Sequence, residues 1–179
     1  MKKVYLFACV LLLTAAVVAE NPHSENAKAA ASHSIIVVKL NGLNCTTKAG
    51  TNMFDVLAWS WGASNSGSVH VGGGAGAGKA NIQDLSVSKN FDQCSPVLFG
   101  AVSLGTHLKD VTLTQEDGKG NVLLTVTMTE VAVSSWSIGG TVSTELPSEN
   151  VTFNFAKVCI ADASTSTQAC FDTTTNTGI

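Results

Sequence analysis

The residues from Gly73 to Lys79 reproduce the G-x-x-x-x-G-K spacing of loops that bind phosphate through their backbone amides. The next position is Ala80, whereas such loops carry a Ser or Thr there whose hydroxyl holds magnesium. A strand pattern follows, although a phosphate-binding loop leads into a helix. A nucleotide site is therefore disfavoured, and we expect the glycines to let a backbone arm lie close against another surface.

Nucleophilic and acid–base catalysis are no better supported. Serine is abundant, but no G-x-S-x-G elbow occurs, and the histidines and carboxylates have no supporting spacing. Asp55 and Asp84 can bracket a site of the kind that paired carboxylates form in glycosidases, but solvated carboxylates at strand ends are commoner. We expect a protein that is not an enzyme and that needs no cofactor.

Cysteines are the remaining reactive residues. The chain has five, and four remain if Cys9 leaves with an N-terminal signal. An even number in an oxidising compartment favours two disulfides, for which three connectivities exist. Cys159 and Cys170 flank a Ser/Thr-rich turn and can face each other across a hairpin, which leaves Cys45 with Cys94. Four buried free thiols are the alternative, and a zinc site is disfavoured because no C-x-x-C pair occurs.

The N-terminus predicts export. A basic start at residues 2–3 is followed by an apolar run at 4–18 and by small residues up to Ala19, so we predict a signal peptide at 1–19. The apolar run is shorter than a transmembrane span and no stop-transfer pattern follows, which disfavours a stable membrane anchor. We expect a flexible leader at 20–33, a folded domain at 34–179, and secretion to the periplasm or the extracellular space.

Composition excludes one class of partner. The net charge is −3, only 13% of the residues are charged, and no basic cluster follows the first three residues, so nucleic acid is not an expected partner. The length of 179 residues fits one domain, and the abundance of Gly, Ser and Thr suits a β-rich protein.

The strands must position any functional surface. Alternation in residues 55–61 predicts a strand with Leu57, Trp59 and Trp61 inward, and with Val56, Ala58 and Ser60 outward. A second strand is predicted at 85–88, with outward serines. Alternating strands are also predicted at 111–114, 124–129 and 151–155, with a bulge near Glu130.

One helix is predicted within the stretch from Asp92 to Leu104. Ser95 suits its N-cap, Pro96 its first turn and Gly105 its end, while Leu98, Phe99, Val102 and Leu104 form an apolar stripe. Together these patterns predict a mainly β fold, a single antiparallel β-barrel with one short α-helix and an extended Gly-rich loop.

Several separated motifs resemble one family. The segments DVLAWSWG at 55–62, GSVHVGGGAGAGK at 67–79 and NIQDLSVSK at 81–89 are similar to the signature region of the Hcp family, the tube proteins of bacterial type VI secretion. Further similarity lies at 92–107, at VAVSSWSIGG and at ENVTFNFAKV, so the resemblance covers about 34–158 in the same order.

The resemblance implies a hexameric ring that stacks into a tube. Its Gly-rich arm, which includes Gly72, Gly73, Gly74, Gly76 and Gly78, would make the stacking contacts. The position that matches Ser60 faces the lumen of the ring and contacts cargo, such as small secreted effector proteins. Strand alternation independently places Ser60 opposite the tryptophan face.

A signal peptide is not a feature of that family. Three interpretations stay open: a secreted ring or tube, a monomeric secreted binding factor that reuses the fold, and a tube protein whose residues 1–19 are not translated. We favour the first, because the four remaining cysteines suit an oxidising destination.

Overall fold

The computed structural model describes residues 34–67 and 78–179. This part of the chain is mainly β-structure with one short helix, as predicted, and it contains no helix long and apolar enough to cross a membrane. The elements are β1 Ile35–Asn41, β2 Thr46–Thr47, β3 Gly50–Thr51, β4 Met53–Asp55, β5 Ala58–Ser60, β6 Ala63–Asn65, β7 Ala80–Ile82, β8 Leu85–Asn90, α1 Ser95–Leu104, β9 His107–Glu116, β10 Val122–Gly139, β11 Ser148–Asp162, β12 Thr167–Asp172 and β13 Thr177–Gly178.

The described strands form one large antiparallel sheet and two small ribbons. The large sheet runs β13-β12-β11-β10-β9-β1-β4, and β8 joins it by pairing with both β11 and β5. The ribbons are β2–β3 and β6–β7. The core lies on the sheet face that carries Val38, Leu113, Val126 and Val151, each of which is fully buried.

Closure of the sheet into the predicted single barrel depends on the segment between β4 and β5. The strand order is that of an open sheet, in which β4 and β5 are separate strands. Two backbone hydrogen bonds lie between them: Val56 N–H donates to Ile36 O, and Leu57 N–H donates to Ser88 O, each over 2.8 Å. The chain therefore leaves β1 at Val56 and joins β8 at Leu57.

This change of partner corrects the predicted faces. Val56 is buried and Leu57 is 58% exposed, the reverse of the expectation. While the chain pairs with β1, the even-numbered residues Phe54 and Val56 face the core. Once the chain pairs with β8, the odd-numbered residue Trp59 faces the core instead. Trp59 and Trp61 pack against the core and Ser60 is exposed, as expected.

The helix begins and ends close to the predicted residues, but its N-cap and its stripe differ. Cys94 occupies the N-cap, and Gly105 ends the helix in the left-handed conformation at φ 63°. Ser95 is not the cap, because its hydroxyl is fully buried in a polar cluster described below. Phe99 and Leu104 were predicted to face the core, yet they are exposed, since the helix buries only the narrow face of Ser95, Leu98 and Ala101.

The bulge predicted near Glu130 is absent: the buried face of the strand changes there, but no extra residue is inserted. Glu130 has a left-handed φ of 55°. The register of β10 with β9 and β11 is the same on both sides of it, because all three strands change phase at this level. The register shifts of β10 lie instead between Val133 and Ser135 against β11 and between Val122 and Leu124 against β9. The coordinated changes of buried face run from Leu108 to Val111, from Met128 to Val131 and from Phe155 to Val158.

Candidate assembly surface

The outer face of four neighbouring strands carries small, uncharged side chains in register. Ser60 of β5 pairs with Ser86 of β8, which pairs with Thr152 of β11, which pairs with Ser135 of β10. A second row lies beside the first and consists of Ala58, Ser88, Asn150 and Ser137. We call these eight positions the hydroxyl face.

Hydrogen bonds within the hydroxyl face hold its polar groups in place. Ser88 Oγ donates to Asn150 Oδ1 over 2.5 Å, and Ser135 Oγ donates to Thr152 Oγ1 over 3.1 Å. Nearby, the carboxylate of Asp84 accepts from Ser134 Oγ over 2.7 Å and from Asn154 Nδ2 over 2.8 Å. The surface therefore presents hydroxyl and amide groups, and the carboxylate at its border already has partners.

The tryptophans behind this face fix strand β5 and the start of the β6–β7 ribbon. Trp59 Nε1 donates to Gln115 Oε1 over 3.1 Å, and Trp61 Nε1 donates to the Gln83 carbonyl over 2.9 Å. The Trp61 ring also meets the Phe155 ring edge-on at 6.3 Å between centroids. Ser60 lies between two anchored aromatic residues, so its outward orientation follows from their packing.

A buried ion pair and its hydrogen-bond partners, on the core side of the sheet, join the four elements β8, β11, α1 and β10. Lys89 and Glu149 are fully buried, and Lys89 Nζ lies 2.7 Å from Glu149 Oε1. Ser95 Oγ donates to the same oxygen over 2.9 Å, and Trp136 Nε1 donates to the other carboxylate oxygen over 3.2 Å. Asp92 adds a second carboxylate at 2.8 Å from Lys89 Nζ. We did not predict this cluster, although Lys89 continues the inward phase of Leu85 and Val87.

The Gly-rich segment lies partly outside the described residues. Of the five glycines in the predicted arm, Gly72, Gly73, Gly74 and Gly76 fall in the undescribed range 68–77, and Gly78 is described. A Cβ atom on Gly78 would lie 2.7 Å from Asn65 Oδ1 and 2.8 Å from the carbonyl carbon of Ser66, and would also meet Gly67 N. We call the place where Gly67 and Gly78 approach each other the neck of the arm. It has no room for a side chain at residue 78.

Both disulfides have the connectivity favoured from the sequence. Cys45 joins Cys94, which ties the loop before β2 to the start of α1. Cys159 joins Cys170 directly across the pair β11–β12.

The described residues contain no group of three or more His, Cys, Asp or Glu side chains that could hold a metal ion. The two carboxylates considered for catalysis have separate surroundings. Asp84 binds Ser134 and Asn154, whereas Asp55 is exposed and lines a cavity of about 540 Å³ together with Leu57, Phe91 and Leu146.

Sequence comparison identifies the family. The family model described as "Type VI secretion system effector, Hcp" matches residues 31–161, which is well over half of the chain. The chain belongs to the Hcp family. Among curated proteins, hcp1 of Pseudomonas aeruginosa is 49% identical over 114 residues, which cover 62% of this chain and 70% of that relative.

Solved structures of Hcp proteins have the same fold. The crystal structure of Hcp1 from Salmonella typhimurium superposes with a TM-score of 0.69 at 24% identity, and covers 82% of this chain and 99% of its own. A second structure, of a type six secretion system protein, gives 0.70 at 24% identity and covers 82% and 100%. At this identity the likeness concerns the fold alone. The resemblance found in the separated sequence motifs is thus confirmed at the level of the family.

Within this Hcp-family chain, the C-terminal strands lie beyond the matched range. The family match ends at residue 161, and β12 and β13 follow it. The Cys159–Cys170 disulfide crosses this boundary. The C-terminal hairpin is thus covalently tied to the part of the chain that carries the family match.

Proposed function

We propose that this protein is a structural subunit that assembles into rings, of six copies by analogy with its family, and that these rings stack into tubes associated with type VI secretion. The observation that carries the proposal is the hydroxyl face. Its eight positions on β5, β8, β11 and β10 are small and uncharged. A surface of this composition suits a lumen lining or a subunit contact better than it suits the exterior of a solvated monomer, which is usually highly charged.

A closed barrel would give the ring a rigid wall. The segment 53–60 hydrogen-bonds to β1 with its first half and to β8 with its second half. Because β8 pairs with β11, and β11 connects through β10 and β9 back to β1, this segment links the two ends of the sheet. We propose that the strands linked in this way form a closed antiparallel barrel, in which Val56 and Leu57 form the joint.

Ser60 is proposed as a contact for cargo in the lumen. It is exposed at one end of a row of hydroxyl groups, and the neighbouring Trp59 and Trp61 point to the core. Such a surface binds through hydrogen bonds rather than through charge, so we propose that the cargo consists of small secreted effector proteins held weakly enough to leave.

The Gly-rich arm is proposed to make the contact between stacked rings. The described neck supports this role, because the backbones of Gly67 and Gly78 approach so closely that a Cβ at Gly78 has no room. Glycines allow a backbone to pack at similarly close range against a second subunit.

Export through the signal peptide is proposed to deliver the subunit to the periplasm or the extracellular space, without a stable membrane anchor. The two disulfides support an oxidising destination. The role is structural rather than enzymatic and requires no cofactor.

One observation favours a second candidate, a monomeric secreted binding factor. The cavity of about 540 Å³ has exposed Leu57, Phe91 and Leu146 in its wall together with charged Lys48, Asp55 and Asp92. This mixture of apolar and charged groups is typical of a binding site for a small ligand or peptide.

The deciding experiment measures the mass of the oxidised protein by light scattering and images the same sample by electron microscopy. Rings of about six subunits are expected, whereas a monomer at all concentrations would overturn the ring and favour the binding factor. In the rings, Ser60→Arg should reduce retention of a co-expressed small effector without changing the ring mass. Ser164→Arg, on an exposed turn, is the matched control.

A further inference from the structure

The two disulfides differ in their access to solvent. Cys94 is fully buried and Cys45 is 9% exposed. Cys159 and Cys170 are both partly exposed. Thiol–disulfide exchange requires an attacking thiolate to reach a sulfur atom, so a reductant reaches Cys159–Cys170 first.

The hairpin held by this disulfide touches the ribbon at the base of the Gly-rich segment. β12 carries β13 at the edge of the sheet, and the turn between them ends at Asn176, which has a left-handed φ of 57°. Asn176 Oδ1 accepts a hydrogen bond from Ala80 N–H over 3.0 Å. Ala80 is the first residue of β7, so a side chain of the C-terminal hairpin contacts the ribbon directly.

This contact lies at the outer end of the ribbon. Ala80 pairs with Asn65 there, whereas Ile82 pairs with Ala63 at the end nearer to the large sheet. The inner end has its own anchors, since Gln83 N–H donates to the Gly62 carbonyl and Trp61 Nε1 donates to the Gln83 carbonyl, each over 2.9 Å. An isolated two-stranded ribbon is only marginally stable, so the anchor at its outer end decides where that end lies.

We propose that Cys159–Cys170 is a site of thiol–disulfide exchange that controls the position of the β6–β7 ribbon. A dithiol reductant attacks one sulfur as a thiolate and forms a mixed disulfide, while the other cysteine leaves as a thiolate. The second thiol of the reductant then displaces the first cysteine. Two electrons and two protons pass to the protein, which gains two thiols, and the reductant leaves as a cyclic disulfide. Without the cross-link β12 separates from β11 more often, and Asn176 then releases Ala80.

Hydrogen exchange at the Ala80 amide tests this proposal. The exchange rate is measured by NMR on the full chain, as unassembled subunits in solution. We expect roughly tenfold faster exchange in the double variant Cys159→Ser/Cys170→Ser. Asn176→Gly should have the same effect, because it keeps the left-handed turn but removes the acceptor. Asn176→Asp is the matched control, since a carboxylate oxygen takes the place of the amide oxygen as acceptor, and the Ala80 amide should exchange at the original rate. Unchanged exchange in either the double cysteine variant or Asn176→Gly would overturn the proposal.

A titration of the unmodified chain with dithiothreitol keeps the test decisive if the double variant does not fold. Mapping of labelled thiols by mass spectrometry should show Cys159 and Cys170 reduced while Cys45–Cys94 is intact, with faster exchange at Ala80 in that window. Reduction of Cys45–Cys94 first, or no change at Ala80, would refute the mechanism. The readout is independent of ring formation, so a failure of the proposed assembly is distinguishable from a failure of this inference.

Discussion

At the scale of single residues, Lys89 and Glu149 form a fully buried ion pair, which makes them the most demanding charges to place in the described structure. Both side chains are fully buried, and the ammonium group of Lys89 also donates to Ser95 Oγ over 3.2 Å and to the Asn90 carbonyl over 2.8 Å. A charge in the interior is tolerated only when it is paired and hydrogen-bonded. The pair therefore specifies how β8, β11 and the start of α1 fit together.

Lys89→Met should lower the free energy of unfolding by about 3–5 kcal/mol, because it leaves Glu149 buried and unpaired. Urea denaturation measures this loss. Lys157→Met is the matched control, since Lys157 lies 3.9 Å from Asp172 and its side chain is 43% exposed, and it should cost less than about 1 kcal/mol. Adding Glu149→Gln to Lys89→Met should recover part of the loss. Equal losses for the two single lysine variants would contradict the assigned role.

The turn between β12 and β13 is expected to lose stability in acid, because its hydrogen bonds depend on the Asp172 carboxylate. The Thr174 hydroxyl donates to its carboxylate, as do the backbone amides of Thr175 and Thr174, and these bonds hold the pKa of Asp172 below its ordinary value. Since the folded pKa is lower than the unfolded one, the stabilisation is present above the ordinary value and is lost as the pH falls through the folded pKa. Protection of the Thr174 and Thr175 amides should therefore fall in strong acid. In Asp172→Asn the acceptor remains but cannot titrate, and this pH dependence should disappear.

At the scale of elements, alternation in the sequence correctly predicted the buried face of those strands that keep the same neighbouring strands along their whole length. Leu85 and Val87 are buried and Ser86 and Ser88 face outward, as the alternation indicated, because β8 keeps one side to the core throughout. The prediction was wrong at Leu57, where the chain changes partner from β1 to β8. No local signal marks such a change, since it depends on strands far away in sequence.

The helix illustrates a second limit. Pro96 and Gly105 marked its ends correctly, because their backbone preferences are local. The role of Ser95 could not be predicted, because its hydroxyl binds Glu149, which lies 54 residues away. Phe99 is exposed for a similar reason: its ring packs on Trp136 of β10 at 5.3 Å between centroids instead of entering the core.

The two disulfides are expected to stabilise the fold by different amounts. Their sequence separations are 49 and 11 residues, so the entropy of loop closure in the unfolded chain predicts a stabilisation of about 4 kcal/mol for Cys45–Cys94 and about 3 kcal/mol for Cys159–Cys170. Removing each pair by Cys→Ser substitution and measuring the urea midpoint tests this order. Thiol counting of the oxidised domain at 34–179 should find no titratable thiol, and four thiols would refute both bridges.

At the scale of the whole molecule, the sequence motifs identified the family because several different motifs occur in the family's order over a long stretch of the chain. The hydroxyl face was only partly predictable. Ser60, Ser86 and Ser88 follow from alternation, but their alignment with Asn150 and Thr152 depends on the registers of β8 and β11. That alignment is what makes a continuous surface, and it connects the single outward residue Ser60 to a wall of the proposed ring.

Deletion of residues 72–78 is expected to separate the proposed ring formation from the proposed stacking. The deletion removes the Gly-rich segment but leaves the hydroxyl face and the buried ion pair, so we expect folded rings that no longer form stacked tubes. Electron microscopy measures the stacks, light scattering measures the ring mass, and circular dichroism confirms the fold. Gly100→Ala is the matched control, because a Cβ atom there meets open space and should change neither rings nor stacks. If the deletion variant still forms stacked tubes, the contact between rings lies elsewhere, and the exposed apolar residues Phe99 and Leu104 of α1 become the next surface to test.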